Sequence, residues 1–299
     1  MTAHTVSSLI ETVFEQFEAH DLSYGHGTDN AWDEAVALVL GVAGEADDRS
    51  VLERTVSPEH IQRCLQLCHQ RVESRLPLAY LTGRCTYMGI DFAIAPGVIV
   101  PRSPIGYLLA DHLLAWLPDP VTQILDLCSG SGCLGIIAAQ VFPQAQVTLV
   151  ELDDHAIAIA RENIHRLGLD NRVTLRKGDV TKTLSFPQRF DLVLSNPPYV
   201  DAADMNQLPP EYLAEPHAGL AAGQDGLSII CPIINQLTNW LTPQGLFIGE
   251  VGASAPALMA RYPRLPLFWP ELPLGGEGVF LLEASGLTFH TGTTVEDAH

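Results

Sequence analysis

The chain has 299 residues, 47% of them apolar and 17% charged, with 16 Lys and Arg against 35 Asp and Glu for a formal charge of −19. This length exceeds one typical domain, and the composition supports a substantial buried core, which excludes a disordered chain. The acidic balance disfavours a duplex-binding enzyme, which presents a basic stripe to phosphates, and suits a basic protein partner.

The N-terminal stretch MTAHTVSSLIETVFEQFEAHD is an amphipathic, acidic helix candidate without the basic and apolar regions of a signal peptide. No apolar run approaches the roughly 20 residues that span a bilayer, so a cytoplasmic protein without membrane attachment is expected. Cys64, Cys68, Cys85, Cys128, Cys133 and Cys231 lack CxxC spacing, and the histidines are scattered, so neither disulfides nor a metal site is expected. Apolar positions recur at helical spacing at Leu9, Val13, Phe14 and Phe17, at Ala35 to Leu40, and at Ile61 to Leu67. Ser57-Pro58-Glu59 has the form of a helix start, with Ser57 as cap. These features predict a helical domain over residues 1–85. From Thr86 the pattern changes to YMGIDFAIAPGVIVPR, which predicts a β-hairpin linker over 86–100 turning at Pro96-Gly97.

After Pro101 short apolar strands alternate with helical stretches. Strands are expected at Gln123–Leu127, Gln146–Glu151, Arg172–Arg176, Asp191–Ser195, Gly245–Glu250, Pro266–Phe268 and Gly278–Leu282. Helices are expected at Gly132–Val141 and Asp154–Leu167, the second stopped by Gly168. The alternation predicts an α/β, Rossmann-like doubly wound sheet, mostly parallel, over residues 101–285, closed by a terminal antiparallel hairpin. Residues 286–299 are expected to form a polar tail.

Asp126-Leu127-Cys128-Ser129-Gly130-Ser131-Gly132 ends the first of these strands and opens a helix, the crevice where open α/β sheets bind ligands. Glu151, followed by Leu152, ends the second strand and is placed to accept hydrogen bonds from two ribose hydroxyls. Gly130 to Gly135 also match GxGxxG with an acid about 20 residues on, the dinucleotide fingerprint. Asp126 weighs against a dinucleotide, because its carboxylate repels a pyrophosphate but attracts the ammonium of S-adenosylmethionine. Asp179, followed by Val180, sits after the third strand where a carboxylate can accept the exocyclic amine of adenine. Asn196-Pro197-Pro198-Tyr199 follows the fourth strand. Its prolines fix φ and remove two donors, leaving a rigid set of acceptors. The Asn196 side-chain oxygen and the Pro197 carbonyl can hold the two hydrogens of a planar NH2 group and aim its nitrogen at a methyl donor, while Tyr199 packs on the plane.

LAYLTGRCTYMGIDF, VIVPRSPIG, DLCSGSGCLG and SNPPYVDAADMNQLPPEYLAEPHAGLAAGQDGL, together with the terminal strands, resemble the class I S-adenosylmethionine-dependent methyltransferases with an NPPY motif. The likeness is specifically to the bacterial protein-(glutamine-N5) methyltransferases and covers nearly the whole chain. It implies a helical N-terminal domain that helps recognise a protein substrate. It implies a cofactor site at Asp126, Gly130, Gly132, Glu151, Asp179 and Asn196, and a glutamine site at Asn196 to Tyr199. Within the family, Ser103-Pro104-Ile105-Gly106 after Pro101-Arg102, Cys128 in the glycine loop, and the stretch Leu208 to Leu227 resemble the branch acting on the third large-subunit ribosomal protein. The release-factor branch is the alternative. Nucleic-acid amino-methylation, a catalytically silent cofactor-binding subunit and an NAD oxidoreductase fit less well, the last because it leaves NPPY unexplained. Cys128 stands where the family carries glycine, so its φ is expected to be negative or strained. From Phe190 to Ala260 there is no Lys or Arg, yet Asp191, Asp201, Asp204, Glu211, Glu215, Asp225 and Glu250 all occur. That run is either a solvated acidic loop or a landing surface for a basic substrate, with Glu211 and Glu215 as candidate contacts to substrate Arg or Lys.

Overall fold

The computed structural model describes residues 4–44, 49–111, 116–272 and 275–287. The chain divides into two compact units, one built from residues up to Arg102 together with Leu208–Pro216, the other from Ser103–Gln207 and residues from His217 onward. No helix among the described residues is long and apolar enough to cross a membrane.

The first unit carries α1 (Val6–Glu18), α2 (Ala31–Ala43), α3 (Pro58–Ser74) and α4 (Leu78–Thr82), then a hairpin of β1 (Arg84–Tyr87) and β2 (Ile90–Ala93). Leu9, Val13 and Phe17 of α1 meet Leu38 of α2 and Cys64 and Leu67 of α3 in one buried cluster, the positions that helical periodicity singles out. Ser57 caps α3 as expected, its side chain accepting from the His60 N–H at 3.2 Å, with Pro58 in the first turn. A cap of this kind contributes about 1 kcal/mol. The hairpin turns at Met88-Gly89 rather than Pro96-Gly97, with φ of 52° and 73° at the two central residues. Positive φ at both suits the two-residue turn whose twist matches the strands, whereas proline is barred from such positions.

The second unit holds a six-stranded sheet. After α5 (Ile105–Asp111) come β3 (Gln123–Leu127), α6 (Cys133–Val141), β4 (Gln146–Glu151), α7 (Asp154–Arg166), β5 (Val173–Lys177) and β6 (Phe190–Ser195). The short helices α8 (Ala202–Met205), α9 (Pro210–Leu213) and α10 (His217–Leu220) follow, α9 lying in the segment that completes the first unit. The chain ends through α11 (Ile230–Trp240), β7 (Leu241–Glu250), α12 (Ala255–Arg261), β8 (Val279–Glu283) and α13 (Ala284–Leu287). Strand order is β5-β4-β3-β6-β7-β8, parallel except for antiparallel β8, which is the expected Rossmann-like methyltransferase sheet. Gly168 takes φ 67° just past α7, as its role as a stop requires. The expected strand at Pro266–Phe268 reduces to a single antiparallel bridge between Phe268 and Leu281, because Pro266 has no N–H to extend a ladder. The expected tail lies outside the described residues from 288 onward.

Leu125, Val193, Phe247 and Leu282 stand side by side across β3, β6, β7 and β8 and pack in one cluster with Ile230, Ile234 and Trp240 of α11. Successive side chains alternate faces, so Asp126 emerges on the opposite face, toward α6. The carboxyl ends of β3 and β6 are neighbours, with Leu127 beside Ser195. That register brings the glycine loop and the NPPY segment to one edge of the sheet, at the point where strand order reverses.

Candidate active site

The glycine loop is held open by its own backbone. Cys128, Gly130 and Gly132 have φ of 56°, 55° and 81°. A Cβ on Gly130 would meet nothing within 4 Å, so glycine is needed there for conformation, and the space above it is open. Cys128 adopts the left-handed region without being glycine, which is the strained alternative expected from its sequence position. Burial raises the Cys128 thiol well above its ordinary value, with the Glu151 charge adding to the effect, so it has no thiolate character. Gly135 serves packing instead: a Cβ there would fall 2.2 Å from Leu149 Cδ2, so its absence lets α6 lie close on β4.

Asp126 is 1% exposed. Its Oδ2 accepts from the Gly135 N–H at 2.9 Å. Burial pushes its carboxyl up to about 7, opposed by the Gly135 N–H and reinforced by the Glu151 charge. Asp126 Oδ1, Ser129 Oγ and Ser131 Oγ are buried with no hydrogen-bond partner among the described residues. Three orphaned polar atoms in one loop are costly unless a polar ligand completes them. An ammonium beside Asp126 would favour its charged form and supply donors, which fits the amino-acid end of S-adenosylmethionine.

Glu151 ties the two loops together. Its Oε2 accepts from the Gly130 N–H at 2.8 Å and its Oε1 from the N–H groups of Leu152 and Asp153 at 2.7 and 3.0 Å. These bonds fix the carboxylate's plane and leave lone pairs over for a diol. Leu152 beside it is 56% exposed, an apolar surface next to the carboxylate. Asp179 lies after β5, its Oδ1 accepting from the Thr181 N–H and hydroxyl and its Oδ2 3.1 Å from Lys182. The Thr181 hydroxyl, then Lys182 and the Thr181 N–H, hold its carboxyl below the usual range. Val180, next in the chain, is buried in the main cluster. Asn163 of α7 escapes a reading of motifs. It is fully buried, and its amide donates to the Ser131 carbonyl at 3.0 Å, pinning the loop from below.

At the end of β6, Asn196 is half-buried and Pro197 buried, with Pro198 and Tyr199 partly exposed. The Tyr199 hydroxyl donates to Glu250 Oε1 at 3.0 Å, and the Tyr199 carbonyl accepts from the Ser254 hydroxyl at 3.0 Å. Glu250, at the end of β7, is 4% exposed and also accepts from the Ser103 hydroxyl.

The structure corrects part of the expected landing surface, since Asp191, Glu211, Glu215 and Glu250 are buried while Asp204 and Asp225 are exposed. Asp191 accepts from the backbone N–H groups of Thr122 and Gln123, and Asp201 caps α8. Glu211 and Glu215 belong to the first unit and are 0% and 4% exposed, so neither is available to a substrate. Glu211 Oε1 lies 3.2 Å from Arg71 Nη1 and 2.7 Å from Arg75 Nε. Glu215 Oε2 lies 2.7 Å from Arg102 Nη2 and 3.4 Å from His26 Nε2. Burial alone would raise both carboxyls. The arginines outweigh it at Glu211, and His26 and Arg102 hold Glu215 at about 2. The cations that satisfy them, Arg71, Arg75 and Arg102 together with His26, all lie outside the Lys- and Arg-free stretch.

A family model described as the methyltransferase small domain matches residues 108–223. The ribosomal protein uL3 glutamine methyltransferase of Francisella tularensis subsp. tularensis is 40% identical over 284 residues, covering 93% of this chain and 90% of that one. The protein of the same description from Burkholderia pseudomallei is 40% identical over 293 residues, covering 95% of each. Among solved structures, the hMettl16 catalytic domain in complex with the MAT2A 3'UTR hairpin 6 aligns with a TM-score of 0.52 at 13% identity, over 93% of this chain and 91% of that chain, a likeness of fold alone.

Proposed function

The chain belongs to the ribosomal protein uL3 glutamine methyltransferase family, and from that premise we propose how its residues divide the work of methylating a glutamine side-chain nitrogen (N5). The observation that carries the reading is the adjacency of β3 and β6. It sets the glycine loop, with its orphaned Asp126 and Ser129 atoms, beside Asn196-Pro197-Pro198-Tyr199.

S-adenosylmethionine, when bound, supplies an electrophilic methyl group. Asp126, Cys128, Ser129, Gly130, Ser131, Gly132, Glu151, Leu152, Asp179 and Val180 form its site, with Asn196 at the boundary with the substrate. Asp126 takes the ammonium end, Glu151 the ribose hydroxyls, and Asp179 the adenine amine. An amide nitrogen is a poor nucleophile because its lone pair is delocalised. The Asn196 oxygen and the Pro197 carbonyl accept its two hydrogens, which concentrates negative charge on nitrogen and orients it, while Tyr199 restricts the amide plane. Pro197 and Pro198 keep these acceptors rigid. Neither Glu211 nor Glu215 takes part, since both carboxylates are consumed inside the first unit. The helical region 1–85 contributes substrate recognition, the hairpin region 86–100 joins it to the transferase portion at 101–285, and the net charge of −19 suits a basic ribosomal protein in the cytoplasm.

The test is transfer of labelled methyl from S-adenosylmethionine to undermodified uL3, release factors and RNA offered in parallel, with mapping of the labelled residue. Label on a uL3 glutamine is expected. Label confined to release factor or RNA would refute the reading.

A further inference from the structure

We propose that Glu250, held in turn by Ser103, is the positioning residue for Tyr199. It fixes the ring in the position from which Tyr199 restricts the amide plane. The inference rests on the glutamine-methylation reading above.

The geometry is a chain of hydrogen bonds with one consistent direction. Ser103 Oγ accepts the Ile105 N–H at 3.2 Å at the start of α5, so its single proton is available for Glu250 Oε2. The other oxygen, Oε1, accepts from Tyr199 Oη. A carboxylate is acceptor-only, and here each of its oxygens receives one hydroxyl. Glu250 is 4% exposed and Ser103 also 4%, so water does not compete for these positions. The same tyrosine is fixed from two further sides. Ser254 donates to its carbonyl, and a Cβ on Gly226 would fall 2.4 Å from that carbonyl. An acid buried behind the Tyr199 hydroxyl costs desolvation and is worth holding where it sets the place of the ring.

The test combines fluorotyrosine-labelled holoprotein, followed by fluorine NMR, with a mutant cycle on methyl transfer to uL3. The Tyr199 resonance is assigned by its loss in Tyr199→Phe. It is expected to shift or broaden in Glu250→Ala and to remain near the wild-type position in Glu250→Gln, which keeps an acceptor. In Glu250→Ala, kcat is expected to fall about tenfold to a hundredfold, the worth of one hydrogen bond to a charged group. The Glu250→Ala, Tyr199→Phe double variant should lose little more than the worse single, and S-adenosylhomocysteine affinity should hold within about twofold. An unmoved Tyr199 resonance in Glu250→Ala, or losses that multiply in the double variant, would overturn the inference. If Glu250→Ala does not fold, Ser103→Ala, which removes the hydroxyl that holds Glu250, carries the same cycle. A wild-type protein that leaves uL3 unmodified refutes the substrate reading, while the Tyr199 resonance still decides this one.

Discussion

Gly252 stands so close to the ring of Tyr199 that a Cβ on it would lie 2.5 Å from Tyr199 Cε2, and its own φ is 47°. Both the ring and the backbone therefore demand glycine. Gly252→Ala is expected to cost on the order of 1–3 kcal/mol in stability and to displace Tyr199. Methyl transfer should fall more than the melting temperature suggests. Activity measured well below the melting point checks this, and full activity there would show that the ring's position is immaterial.

Asn196→Ala removes the side-chain acceptor and little packing, since the residue is half-buried at the end of β6. Turnover is expected to drop about a hundredfold or more, the size of losing one preorganised polar group at a reacting centre. The thermal midpoint should move by only a few degrees. Single-turnover methylation beside a melting curve distinguishes the two, and near-normal turnover would remove Asn196 from the mechanism.

Asp126 makes the second unit lose stability as pH rises from acid toward neutrality. Its folded value of about 7 lies above the ordinary 3.8, so between those limits the folded state holds more protons than the unfolded one. Stability from this group is therefore full below pH 3.8 and lost as pH rises toward 7, by an amount on the order of a few kcal/mol. Asp126→Asn is expected to flatten that loss in the ligand-free protein while weakening S-adenosylhomocysteine binding by more than about tenfold at pH 8. Denaturation and calorimetric titration against pH measure both arms, and unchanged affinity would separate Asp126 from the ammonium.

The first unit responds in the opposite sense. Glu215 is held at about 2 and Glu211 below its ordinary 4.5, so their contribution is present above pH 4.5 and lost as pH falls through the folded values. Limited proteolysis between pH 5 and 3 should cut within the first unit before the sheet. Arg71→Ala, which strands Glu34 and Glu211 without their buried partner, is expected to produce the same opening at neutral pH at a cost of about 3–5 kcal/mol.

Cys128, at φ 56°, offers a clean comparison. Cys128→Gly and Cys128→Ala both lose the thiol, yet the glycine variant is expected to be the more stable by about 1 kcal/mol, the reverse of the usual order. Chemical denaturation of the pair measures it, and an alanine advantage would deny the strain.

Much of the catalytic unit is legible in the sequence for a physical reason. Strands buried on both faces are continuous apolar runs, so Gln123–Leu127 and Gln146–Glu151 stand out with their loops attached. The hairpin turn is hidden because Met88 is an unusual residue for positive φ, and Pro96-Gly97 nearby carries the stronger turn signature. The fate of the acids is not legible at all. Glu211 and the Arg71 that neutralises it are 140 residues apart, and nothing local to Glu211 marks it as buried. Asn163 is hidden in the same way, since an asparagine in a helix reveals no partner until α7 is laid beside the glycine loop.

Leu127 and Ser195 lie side by side although the whole of β4 and β5 intervenes between them in the chain, and Glu250 comes later still. Synthesis from the N-terminus therefore releases the glycine loop long before the strand that must lie beside it. The binding crevice has only one wall until β6 emerges, and Tyr199 has no anchor until β7 does. A truncated product ending before residue 250 lacks the acid that seats Tyr199.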